Sequence, residues 1–86
     1  MIYHIEIYRQ AQKTLDYLDK TTLHRINAKI LELMKDPYSP RVSRPMQTMP
    51  ETRYSRVGDW RIIYLVHEEI QTIDIIAVSP RGRAYR

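Results

Sequence analysis

The stretch Tyr54-Ser55-Arg56-Val57-Gly58-Asp59-Trp60-Arg61-Ile62-Ile63-Tyr64 decides the fold. Two strand-like runs flank Gly58-Asp59. Glycine at the first position of a two-residue loop suits a type II′ turn, which needs a positive φ there. The spacing predicts a hairpin with Val57 paired to Trp60, Arg56 opposite Arg61 and Tyr54 opposite Ile63. Strand alternation then sorts the side chains. Ser55, Val57, Trp60, Ile62, Tyr64 and Val66 share one face. Tyr54, Arg56, Arg61, Ile63 and Leu65 share the other. The first set is the bulkier apolar one and is expected to pack under helices. The second places two arginines side by side, which destabilises a sheet unless a carboxylate or an anion lies between them. Two readings stay open: Asp74 or Glu6 neutralises the pair, or an anionic ligand does.

Upstream, residues 2–8 alternate and read as a strand, with Tyr3, Ile5 and Ile7 on one face. Residues 10–19 place Ala11, Leu15 and Leu18 at helical spacing. Thr21 or Thr22 is expected to cap a second helix. Its apolar stripe is Leu23, Ile26, Ile30, Leu33 and Met34. Asp36-Pro37 ends it, because a residue before proline disfavours helix. Residues 37–50 carry four of the five prolines and read as a loop. Downstream, residues 70–78 form another strand, and residues 79–86 a polar tail with three arginines and no acid. The expected fold is α+β: one domain over residues 1–86, with an N-terminal strand and a two-helix hairpin on one face of a small antiparallel sheet.

The formal charge is +4 and the isoelectric point about 9.6, which favours an acidic partner. All four lysines lie in the first half; after Asp36 every basic side chain is arginine, whose planar fork matches phosphate oxygens. Hydrophobic residues make up 43% of the chain, enough for a globular core. There is no cysteine, so no disulfide or thiolate site is available. His4, His24 and His67 are scattered, without metal-ligand spacing. The chain has neither a Gly-rich phosphate loop nor a nucleophile elbow. Metal-dependent and serine-type hydrolysis are therefore not expected, nor is a cofactor. The start shows no basic region followed by an apolar run, and the longest apolar run, residues 62–66, suits a strand. A cytoplasmic protein without membrane attachment is expected.

The run from Tyr54 to Tyr64 resembles the signature of the RelE/ParE toxin superfamily, Arg-Val-Gly-Asp-aromatic-Arg followed by an apolar strand. The ending Pro80-Arg81-Gly82-Arg83-Ala84-Tyr85 resembles that of archaeal-type RelE toxins and favours RelE over ParE. The resemblance implies a toxin that enters the ribosomal A site and cuts messenger RNA there without a metal. It also implies a cognate, usually acidic antitoxin, and contact with operator DNA only through that antitoxin. By position it assigns Arg56, Arg61, Arg81 and Tyr85 to catalysis. Arg53, Tyr54, Arg83 and Arg86 are expected to bind RNA. Where several members carry a basic residue this chain has Tyr54, and it has no lysine on the strand. The general base therefore stays open between Tyr54, a carboxylate such as Glu51, and no side-chain base at all. ParE-like relatives inhibit DNA gyrase instead, and a chain that only binds its antitoxin and operator is a third possibility.

Overall fold

A computed structural model describes residues 2–49 and 51–80. β1 (His4–Ile7) leads into α1 (Arg9–Tyr17) and α2 (Lys20–Lys35). β2 (Arg44–Pro45), β3 (Arg53–Val57), β4 (Trp60–His67) and β5 (Thr72–Pro80) follow. Asp19, not a threonine, caps α2: its carboxylate accepts from the Thr22 amide at 3.1 Å. The helix begins at Lys20, so Thr21 and Thr22 already lie inside its first turn.

The strands form one sheet in the order β1-β5-β4-β3-β2. The β3–β4 hairpin has the expected register, Val57 with Trp60, Arg56 with Arg61 and Tyr54 with Ile63. Gly58 carries the positive φ, +57°, that the turn requires. The sheet is not wholly antiparallel. β1 pairs with β5 in parallel, Ile5 beside Ile73 and Glu6 beside Asp74. Parallel neighbours need a long connection, and here both helices and the β2–β4 meander lie between the two strands in sequence. Alternation marks a strand but is blind to its direction.

Both helices cover one sheet face. Ala11, Leu15, Ile26, Ile30 and Leu33 pack on Val57, Ile62, Tyr64, Ile73, Ile75 and Val78, with Trp60 and Val66 at the margin. Ile26, Leu33, Ile62, Ile73 and Ile75 are fully buried. At about 1.5–3 kcal/mol for each buried side chain of this kind, this layer is the main source of stability. The opposite face holds a smaller cluster of Met46, Ile63 and Ala77, with Tyr54 and Ile76 packed beside it.

Two local features shape that second face. Ile63 pairs with Ala77 but Tyr64 with Ile75, so Ile76 is an extra residue in β5. The bulge shifts the alternation of β5 and brings Ala77 and Ser79 to the face of Ile63 and Arg61. Tyr64 fixes the proline-rich segment: its buried hydroxyl donates to the Pro37 carbonyl at 2.7 Å and touches Ser43 Oγ. Burial raises the Tyr64 hydroxyl pKa, opposed by bonds from Ser43 and Arg53. Held at Ser43, the chain returns as β2, which pairs Arg44 with Tyr54 and Pro45 with Arg53. Proline at this edge withholds a donor and so discourages further strand addition.

Candidate nucleic-acid interface

The open face carries Arg44 on β2, Tyr54 and Arg56 on β3, and Arg61 on β4. Arg44, Pro45, Met46, Gln47, Thr48, Tyr54 and Arg61 line a cleft of about 490 Å³. Met46 closes its floor among the buried residues of the smaller apolar cluster. The Arg61 guanidinium lies over the Tyr54 ring, 4.8 Å from its centre. Such a cation–π contact orients the planar group without consuming its donors. Arg56 is exposed beside the cleft, whereas Arg61 is half-buried. A second hollow, lined by Lys29, Arg41, Val42, Ser43, Arg44, Tyr54 and Arg56, adjoins the first along the β3 edge.

Among the described residues no carboxylate neutralises the arginine pair. Among the described residues the ion pairs are Lys29–Glu32 at 3.0 Å and His67–Asp74 at 2.8 Å. Asp74 is partnered with Leu65, four residues along β4 from Arg61. Its Oδ2 accepts from Tyr8 at 3.0 Å and meets His67 Nε2 at 2.8 Å. The bond to Asp74, reinforced by its charge, raises the Tyr8 hydroxyl pKa. Glu6 pairs with Asp74 from β1, one strand further from the arginines. Of the two readings of the pair, internal neutralisation is therefore set aside.

The structure brings Tyr54, Arg56 and Arg61 together and separates Arg53 from them. Arg53 pairs with Tyr64, on the helix side of the sheet. Its Nε donates to Ser43 Oγ at 2.6 Å, and its guanidinium lies over Tyr38 at 5.3 Å. Glu51 is exposed in the turn before β3 and is not among the cleft residues. Arg81, Arg83, Tyr85 and Arg86 lie outside the described residues. Arg44, Gln47 and Thr48 were not anticipated; they come from a segment readable only as a loop. No group of three His, Asp or Glu side chains among the described residues is placed to hold a metal ion. No helix among them is long and apolar enough to cross a membrane.

A family model described as the ParE toxin of a type II toxin–antitoxin system, parDE, matches residues 5–85. The fold is similar to a chain of the archaeal RelE–RelB complex from Pyrococcus horikoshii, with TM-score 0.82 and 28% identity over 98% of this chain and 100% of that one. A chain of a RelBE toxin–antitoxin complex from Mycobacterium tuberculosis matches with TM-score 0.78 and 24% identity, covering 94% of this chain and 100% of that one. A chain of the intact E. coli RelBE complex matches with TM-score 0.81 and 20% identity, covering 94% and 99%. No curated protein sequence matches.

Proposed function

This chain belongs to the ParE toxin family of type II toxin–antitoxin systems, within the RelE/ParE superfamily, and from that premise we propose that it is a ribosome-dependent endoribonuclease that cuts messenger RNA. The observation that carries this reading is the Arg56–Arg61 pair on an open sheet face, beside a cleft and without a carboxylate partner among the described residues. The similarity to the RelE chain of the P. horikoshii complex supports the choice of branch.

The ribose 2′-oxygen attacks the adjacent phosphorus, the bond from phosphorus to the 5′-oxygen breaks, and the products are a 2′,3′-cyclic phosphate and a 5′-hydroxyl. The proton lost by the 2′-oxygen is matched by the one gained by the 5′-oxygen. Arg61 holds the non-bridging oxygens and stabilises their growing charge, and Arg56 adds a second positive charge. Arg81, which lies outside the described residues, acts beside the leaving oxygen. Tyr54, Arg83 and Arg86 bind RNA, and Tyr85 stacks on an unpaired base. Arg53, bonded to Ser43 on the helix side, is assigned to the fold instead.

Arginine cannot serve as the base, because it stays protonated. Of the described residues lining the cleft, Tyr54 and Thr48 carry hydroxyls, and the phenol of Tyr54 is the more acidic. Catalysis then rests chiefly on alignment, worth about 7–11 kcal/mol, and on oxyanion donors, worth about 3–4 kcal/mol each. A cognate antitoxin of acidic character is the proposed protein partner, with operator DNA reached only through it. The proposed setting is the cytoplasm, with no cofactor.

One finding favours a second reading. The matching family model is described as ParE, and ParE-like relatives inhibit DNA gyrase without cutting RNA. A translation extract separates the two: a nuclease truncates ribosome-bound message, whereas a gyrase inhibitor leaves it intact and blocks supercoiling.

A further inference from the structure

Ser79 lies directly opposite Arg61 in the β4–β5 ladder. Two polar atoms of this pair, Arg61 Nε and Ser79 Oγ, are buried without a hydrogen-bond partner among the described residues. Buried polar groups are nearly always partnered, because each orphan keeps its full desolvation penalty. Directly opposed residues hold their Cβ atoms about 4.5–5.5 Å apart, so both donors reach one small group. A third such atom, Ser55 Oγ, belongs to the helix face, opposite the apolar Ile62, and has no orphaned neighbour there.

The row continues across the sheet. Ser79, Arg61 and Arg56 stand side by side on β5, β4 and β3. It reads hydroxyl, guanidinium, guanidinium, with no carboxylate. A row of donors matches an oxyanion with several acceptor oxygens. The hydroxyl contributes a directional bond without a third like charge.

We infer that Ser79 is a phosphate ligand: its hydroxyl donates to one non-bridging oxygen while Arg61 Nε–H donates to another. The Arg61 guanidinium, resting over Tyr54 at 4.8 Å, lifts from the ring to admit the anion. The naming of an RNA phosphodiester as the natural ligand rests on the proposed nuclease reading; the anion pair itself does not.

The test uses the full chain and inorganic phosphate, at ionic strength matched with chloride. Nuclear magnetic resonance follows the Arg61 Nε–H signal in wild type, Ser79→Ala and Ser79→Thr, with thermal melts alongside. Wild type and Ser79→Thr should saturate alike, and Ser79→Ala should bind about tenfold more weakly, the loss of one charge-assisted bond. Ser79→Ala should melt no lower than wild type, since it deletes a buried hydroxyl that has no partner. Equal phosphate binding by Ser79→Ala, or a melting point several degrees lower, would overturn the inference. A translation extract run in parallel keeps the two claims apart. Intact message with wild type, together with Ser79-dependent phosphate binding, removes the nuclease reading and leaves the pair. Truncated message with Ser79-independent binding does the reverse.

Discussion

Arg56 and Arg61 face each other across the β3–β4 hairpin as directly paired residues. The nearest acid of β5, Asp74, is instead bonded to Tyr8 and His67. The free protein therefore holds a like-charge pair in place of the opposite-charge pair that a sheet prefers. The penalty is about 0.2–1 kcal/mol. Arg56→Gln is expected to raise the melting temperature at low salt, with a gain that fades as salt screens the pair. Melts at several ionic strengths check this. A melting point lowered by the substitution would mean that Arg56 has a stabilising partner.

Tyr54 supports Arg61 by its ring. If the ring matters and the hydroxyl is not the base, Tyr54→Phe should cleave near the wild-type rate. Tyr54→Ala should cleave roughly tenfold more slowly, from the loss of about 1 kcal/mol or more of cation–π and stacking contact. Single-turnover rates distinguish the cases. A Phe variant as impaired as the Ala variant would make the hydroxyl a participant in proton transfer.

Gly58 fixes the hairpin register on which the arginine row depends. Its φ of +57° is one that other residues adopt at a cost. An added Cβ would also lie 3.3 Å from the Arg25 guanidinium, the flexible end of a side chain. Gly58→Ala should therefore lose about 1–2 kcal/mol, mostly from the backbone. Chemical denaturation measures it.

At the other end of the molecule, Glu68 Oε2 accepts from Tyr3 at 2.8 Å and Tyr38 at 2.6 Å. The Tyr38 bond, then the Tyr3 bond, lowers the Glu68 pKa from its ordinary 4.5. Burial, then the same carboxylate, pushes the Tyr38 hydroxyl up to about 12. A depressed carboxylate contributes stability that is fully present above 4.5 and disappears as the pH falls through the lower folded value. Glu68→Gln should flatten the acid limb of a melting-temperature profile between about pH 5 and 2. An unchanged acid limb would place the acid sensitivity elsewhere, with Asp19, also depressed by its bonds to Thr22, the next group to replace.

Most of this site was legible because a two-residue turn sets a whole hairpin: once Gly58-Asp59 is placed, every side chain from Tyr54 to Leu65 has a face. The same parity carried a warning about Arg53, which shares it with Ser55 and Val57 and so belongs under the helices. Ser79 was hidden by the bulge. Uninterrupted alternation from Ile73 and Ile75 would place it with the core, and the extra residue, Ile76, turns it outward. Arg44 was hidden for another reason. A two-residue strand has no periodicity, and β2 is held by the Tyr64–Ser43 contact from a distant strand rather than by its own sequence. The parallel pairing of β1 was likewise beyond local pattern, since it depends on where the helices deliver the chain.

The central claim is that this face cuts message, and single-turnover cleavage on programmed ribosomes tests it most directly. Wild type should release a fragment ending in a 2′,3′-cyclic phosphate, and Arg61→Ala should cleave about 10²–10³-fold more slowly, the loss of one oxyanion donor, while still binding the ribosome. Intact message with wild type, or equal cleavage by Arg61→Ala, would contradict the account.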